Sequence, residues 1–235
     1  RYPLVTGVQT CALPILKISV SPSTMNILKN FSTINKSIVI KPGNSIATLS
    51  VNKNILARAE IIENFPTDIS IYDLSVFLGG LSLFKDPYFD CSNDKKLIVT
   101  DSMGAKSVFY YADPSIITTA PENGIKLPSV DVEFELDADV LTQLQKAAGI
   151  YGVPDLCLYG DGDKIYLSVN DKKNETSHVY SLPVGETEDE FCYCLKMENL
   201  KLMPGSYNVK VSNPKVAQFT GHQVTYWIAL EPEVS

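Results

Sequence analysis

The chain lacks any run of about 18 apolar residues, so nothing in it reads as a membrane-crossing helix. Histidine is scarce. His178 and His222 are the only two, and neither stands at ligand spacing from another candidate. Cysteines number five. Cys91, Cys157, Cys192 and Cys194 are scattered, and the step from Cys192 to Cys194 is not the C-x-x-C of zinc or redox sites; on a strand those two would share a face. Reduced thiols in a cytosolic protein are the expectation. Gly-x-Ser-x-Gly and Gly-x-x-x-x-Gly-Lys are both missing, and no other catalytic constellation stands out. The expectation is a protein that is not an enzyme and uses no cofactor or metal. A basic balance is missing too. Asp plus Glu is 27 against 20 for Lys plus Arg, a net charge of −7, which excludes a uniformly basic nucleic-acid binder. Any contact with DNA has to come from a local group of lysines.

What is present is globular: 45% apolar and 20% charged over 235 residues, room for one large domain or two ordinary ones. Residues 1–15 stand apart. Pro3, Thr6, Gly7, Gln9 and Pro14 interrupt any apolar core that a signal peptide would need. The stretch 5–15 resembles a sequencing-adapter oligonucleotide translated in frame, so 1–15 is expected to be a non-native scar. Residues 16–111 read as a first domain. Residues 23–34 carry Met25, Ile27, Leu28, Phe31 and Ile34 at helical spacing, with Ser21 or Ser23 as cap and Pro22 near the start. Asn26, Lys29, Thr33 and Lys36 fall opposite. Short β-rich runs at 37–40, 45–51 and 55–62 follow, split by turn residues. Residues 73–84 read as a second helix with Leu74, Phe77, Leu78, Leu81 and Phe84 buried, and with Ser75, Gly79 and Ser82 forming a face almost without bulk. The adjacent Gly79 and Gly80 leave a strand as the alternative for part of this run and are read as close packing, not as a phosphate cradle. Strands resume at 97–100 and 106–111.

Residues 112–129, with Pro114, Pro121 and Pro128, read as an extended interdomain connector. The second domain, 130–235, repeats the order of the first. A strand at 130–136 leads to a helix from Asp137 to about 150, with Val140, Leu141, Leu144, Ala147 and Ala148 inside. Asp139 and Lys146 sit where the helix dipole favours them. A hairpin, 156–159 with 164–169, turns at Asp161-Gly-Asp163, which lacks the further acidic ligands and closing Glu of a calcium loop. Strands 178–184 and 190–195 flank an acidic loop at 185–189. A short helix over 196–203 stops at Pro204-Gly205, and strands 206–212, 216–220 and 224–230 end the chain. The fold class expected is α+β: two similar domains, each with two helices on antiparallel sheets.

Lysine is distributed with a pattern. Lys29 and Lys36 belong to the first helix, Lys85 follows the second, Lys146 lies on the third, and Lys196 and Lys201 bracket the fourth, while most acid lies in loops and strands. Lysine is a good helix former on exposed faces, which by itself accounts for such a pattern.

Five stretches change that weighing. Leu28-Lys-Asn-Phe-Ser-Thr-Ile-Asn35 with Ile38-Val-Ile-Lys-Pro-Gly43, Ile71-Tyr-Asp-Leu-Ser-Val-Phe-Leu-Gly-Gly-Leu-Ser-Leu83, Ala112-Asp-Pro-Ser115, Leu202-Met-Pro-Gly-Ser-Tyr207 and Tyr226-Trp-Ile-Ala-Leu230 resemble, in order, the T-even-type bacteriophage sliding clamps. The resemblance implies the ring-forming DNA clamp fold shared with the proliferating cell nuclear antigen, and a DNA polymerase processivity factor. In that family three two-domain subunits close head to tail as a homotrimer around double-stranded DNA, helices inside and sheets outside. A clamp loader loads the ring, it tethers the phage DNA polymerase, and it activates late transcription, all in the cytoplasm of the infected bacterial host. By the same resemblance Lys29, Lys36, Lys85, Lys146, Lys196 and Lys201 are the DNA-facing residues, the second helix giving clearance more than charge. The strand at 106–111 of one subunit pairs with 177–182 of the next, with Phe109, Tyr110, Val179 and Tyr180 in the seam. Ile116, Ile117 and Pro121, with Leu230 and Pro232, line the groove for polymerase and loader tails. A net-acidic clamp is physically sensible, since a sliding ring needs only a mild, sequence-independent field. A helix of 14 residues is about 21 Å long and spans roughly 12 phosphate charges. A β-rich virion or scaffold protein with no DNA contact is the alternative that the charge and the strands allow.

Overall fold

The computed structural model describes residues 17–122, 124–212 and 215–232; the segment 1–15 lies outside the described residues. The first half runs β1 (Lys17–Ser19), α1 (Pro22–Ile34), β2 (Ile38–Ile40), β3 (Gly43–Leu49), β4 (Ile55–Phe65), β5 (Ile69–Ile71), α2 (Leu74–Leu81), β6 (Tyr88–Asp90), β7 (Lys96–Thr100) and β8 (Lys106–Tyr110). The connector holds one 3-10 turn, Pro114–Ile116. The second half runs β9 (Val132–Leu136), α3 (Ala138–Tyr151), β10 (Asp155–Asp161), β11 (Lys164–Asn170), β12 (Tyr180–Glu186), β13 (Glu190–Lys196), a 3-10 turn (Met197–Asn199), β14 (Tyr207–Ser212), β15 (Val216–Thr220) and β16 (Val224–Ala229).

The local reasons for the helices are those read from the sequence. Ser21 accepts the Thr24 N–H, and Pro22 sits in the first turn. Glu63 of β4 accepts bonds from the Ser21 N–H and the Thr24 hydroxyl, placing a carboxylate at the positive end of α1. Asp73 caps α2 through the Val76 N–H. That helix ends at Leu81, short of residue 84, as the Ser82 and Leu83 N–H groups turn back on Gly79 and Gly80. The start of α3 borrows its cap: the Ser206 hydroxyl accepts the Ala138 N–H. Its end is Gly152 at φ +65, the left-handed stop that glycine adopts without strain. The Asp161–Asp163 turn closes the β10–β11 hairpin with Asp161 accepting the Asp163 and Lys164 N–H groups.

Four sheets result, in the orders β1-β6-β7-β8, β12-β11-β10-β13, β3-β4-β16-β15-β14-β9 and β2-β5. The six-stranded sheet belongs to both halves, because β4 pairs antiparallel with β16. One apolar cluster runs through the molecule, from Phe31 and Phe77 in the first half to Leu158, Leu167 and Tyr226 in the second.

Two expectations are corrected. The helix at 196–203 is a single 3-10 turn, so α3 is the second half's only α-helix among the described residues. Its backbone is satisfied elsewhere. The Lys201 carbonyl accepts from Asn30 Nδ2, the Met203 N–H donates to Tyr226 Oη, and Tyr207 Oη donates to the Met203 carbonyl. Asn199 is held by Asn54. Second, Cys157 and Cys194 are joined as a disulfide, not reduced. They stand directly opposite in the β10–β13 ladder, a juxtaposition that strand register creates and sequence spacing conceals. Cys91 stays a buried thiol, its pKa pushed up to about 11 by burial.

Candidate nucleic-acid interface

The helices turn their apolar faces into the core: Ile27, Leu28, Phe31 and Ile34 on α1, Leu74, Phe77, Leu78 and Leu81 on α2, Leu141, Leu144, Ala147 and Ala148 on α3. Their exposed positions include Asn26, Lys29 and Thr33; Ser75, Gly79 and Ser82, beside Val76; and Thr142, Gln143, Gln145, Lys146 and Gly149, between Asp139 and Ile150. Apart from Asp139, Val76 and Ile150, these side chains are small, neutral polar or basic. Helices α1 and α2 contain no acidic residue and α3 contains one, Asp139, in its first turn. In a chain with net charge −7, α1 thus carries one uncompensated lysine, α2 no charge, and α3 one lysine against one aspartate. Gly79 faces open space, whereas a Cβ on Gly80 would lie 2.8 Å from the Phe109 ring; only the second glycine is there for packing.

The six lysines divide. Lys29, Lys36, Lys85 and Lys146 are exposed. Lys36 sits over the Tyr72 ring at 5.2 Å, and its carbonyl accepts the Leu74 N–H, between α1 and α2. Lys201 donates its ammonium to the Thr33 carbonyl at the C-terminal end of α1, where the helix dipole favours a cation. The structure therefore gathers Lys29, Lys36 and Lys201 around the second half of α1. Lys196 is placed differently, within a sheet. Its ammonium is 2.5 Å from Asp155 Oδ1, and Asp155 is fully buried and also accepts the Lys172 N–H. That carboxylate raises the Lys196 pKa above the usual lysine range. The pair pins β10 to β13, and Lys196 has no ammonium to spare for phosphate.

The strands of the expected seam are both sheet edges: β8 ends one four-stranded sheet and β12 another. Tyr110 (76% exposed) and Val179 (58%) point outward. Phe109 and Tyr180 do not. Phe109 packs edge-on to Phe77 at 4.8 Å, and Tyr180 lies against the core with its hydroxyl on Gln143. Val108 on β8 and Tyr72 and Val76 near it stand exposed, and Ile150 and Tyr151 are exposed at the end of α3, which packs on β12. Helical and strand periodicity marks these as surface positions; their being apolar is the signal that sequence reading passed over.

The connector residues also divide. Ile116 and Pro121 are exposed, but Ile117 and Leu230 are buried, and Leu230 lines the core between the two sheets of the second half. The Pro232 carbonyl is held by the Lys172 ammonium. None of the five lines the open groove of about 660 Å³ that lies against the connector. That groove is walled by Thr119, Ala120 and Glu122 on one side and by Lys41, Pro42, Ala47 and Arg58 on the other.

No described helix is long and apolar enough to cross a membrane. Two family models match, DNA polymerase processivity factor over residues 20–100 and gp45 sliding clamp, C terminal, over 133–232. The sliding clamp of Vibrio phage KVP40 is 32% identical over 222 residues, 91% of this chain and 99% of that one. The sliding clamp of Enterobacteria phage T4 is 31% identical over 227 residues, 92% and 98%. Among solved structures, the A. fulgidus PCNA superposes with a TM-score of 0.71 at 11% identity over 93% of this chain and 99% of that one. The Helicobacter pylori β clamp does so with 0.66 at 18% identity over 94% of this chain and 66% of that one. The clamp fold is thereby established, and the reading as a virion or scaffold protein is set aside. The chain belongs to the sliding clamps of T4-type phages, the DNA polymerase processivity factors of phage DNA replication.

Proposed function

We propose that this clamp works as a homotrimer closed head to tail, with β8 of each subunit beside β12 of the next. The observation that carries this reading is that both strands are unpaired sheet edges, each flanked by exposed apolar side chains. An edge of this kind needs a partner, and two different edges on one chain give a heterologous contact, which forms a ring where the rotation between subunits closes. Lys29, Lys36, Lys85, Lys146 and Lys201 line the hole and attract phosphate weakly and without sequence preference. The ring has no catalytic step of its own and acts in the cytoplasm of the infected host. A clamp loader places it on DNA, and the polymerase docks at the connector. In support, the A. fulgidus PCNA is seen with the C-terminal region of FEN-1 bound, and the H. pylori β clamp with a DNA ligase peptide. Activation of late transcription belongs to the same proposal.

Light scattering tests the assembly: the expected molar mass is three times the 25.9 kDa of the chain. Loaded on a nicked circle, the protein should be retained and should run off when the circle is cut. A monomer at tens of micromolar, or retention that survives linearisation, overturns the reading.

A further inference from the structure

Arg58 is the only arginine besides Arg1; every other basic residue is lysine. It stands on β4, in register with Ala47 of β3 on one side and Thr225 of β16 on the other, where the two halves join in the sheet that they share. From there its guanidinium reaches the connector. Nη2 donates to the Pro121 carbonyl at 2.7 Å and Nη1 to the Ser45 hydroxyl at 3.3 Å. Just beyond, Gly124 lies on the Trp227 ring and on Arg58 Nε: a Cβ there would be 3.7 Å from one and 3.8 Å from the other. The connector has little else to hold it. Ile117 is buried at its start, and among the described residues its backbone from 118 to 130 makes one internal hydrogen bond, Gly124 N–H to Pro121 carbonyl. The wide groove opens between Thr119–Glu122 and the sheet, with Arg58 as its inner wall.

A lysine cannot do this. It offers a point charge on a flexible stem, while the planar fork reaches two acceptors at once and stands fixed between neighbouring strands. We propose that Arg58 is the positioning residue of the partner groove. It fixes the height of the connector over the sheet and so keeps room for an extended peptide of the polymerase, which can pair with the backbone groups of 118–120, ahead of the Pro121 carbonyl that Arg58 holds. This rests on the reading that the polymerase docks at the connector.

The test uses the whole ring and the cognate phage polymerase. Arg58→Met and Arg58→Lys should keep the trimer mass and retention on nicked circles. Amide exchange across 118–127 should rise, and polymerase affinity should fall about tenfold, with Lys failing to rescue, because a strap that must be ordered on binding has lost its preorganisation. Unchanged exchange in Arg58→Met overturns the anchor. Faster exchange with unchanged affinity overturns the positioning role. An Ala120→Cys ring carrying a photo-crosslinker separates these from the underlying reading: no cross-link to the polymerase with wild-type Arg58 means the polymerase docks elsewhere. If Arg58→Met does not fold, Ser45→Ala, which removes only the weaker acceptor, should shift exchange and affinity the same way by less; no shift in either counts against the proposal.

Discussion

Lys29 and Lys196 carry the same charge in opposite circumstances. Lys29 is exposed on a helix face without acid, whereas Lys196 is consumed by the buried Asp155. Replacing Lys29 and Lys146 together with Glu should leave the melt nearly unchanged, since exposed substitutions usually fall within about 0.5 kcal/mol. Retention on nicked circles at physiological salt should nevertheless be lost. Lys196→Met should do the reverse: a loss of about 3–5 kcal/mol in urea unfolding, because a buried carboxylate is left without its cation, and normal retention of the rings that form. Equal retention by the parent and the Glu double variant would remove these two lysines from the DNA-facing surface. Glu63 gives a pH dependence. Burial alone would raise its pKa, but hydrogen bonds from Thr24 and Ser21 outweigh that and hold it below its ordinary 4.5. A carboxyl depressed in the folded state adds stability above its unfolded pKa and loses it as pH falls through the folded one. The melting difference between parent and Glu63→Gln should therefore be full at pH 7 and shrink once the pH drops below about 4. A difference that is constant down to pH 3 would show that the carboxylate charge is not what matters.

Helix α2 holds two glycines of opposite purpose. Gly79→Ala meets nothing within 4 Å, so it should stabilise by about 1 kcal/mol through helix propensity. Gly80→Ala drives a methyl into the Phe109 ring, itself wedged against Phe77, and should destabilise. Thermal melts of the two variants should move in opposite directions; a matched shift would mean that Phe109 yields freely. This helix was legible from residues 73–84 because its stripe, cap and glycines are local. So were α1, α3 and the Asp161–Asp163 hairpin. The fourth helix was misread because what replaces it is not local. Asn30 and Tyr226, far away in the chain, take up the carbonyl of Lys201 and the N–H of Met203, and Tyr226 Oη donates to Asn30 Oδ1. The pairing of Cys157 with Cys194 was hidden for the same reason, since only the β10–β13 register brings them together. At the site, exposure of Lys29 and Lys146 followed from helical period, while the capture of Lys196 depended on Asp155, a residue with no periodic relation to it. Arg58 gave one usable sign in the sequence, its being an arginine among lysines, but nothing there pointed to the connector.

On the scale of the whole molecule, the proposed seam predicts that Tyr110→Asp or Val179→Asp monomerises the protein without unfolding it, because both side chains are exposed in the single chain. Light scattering should give the chain mass while far-UV circular dichroism stays unchanged; a persisting trimer would move the seam elsewhere. The shared six-stranded sheet has a bearing on how a subunit comes into being. On the ribosome, with elongation at about 5–20 residues per second, β4 emerges roughly 10–30 s before the β16 that pairs with it. During that interval one side of β4 is an open edge, ready to stick to a neighbouring nascent chain. A chain cut off before Val224 is thus no smaller clamp but an aggregation-prone remnant, because β16 is the strand that seals the edge of the first half.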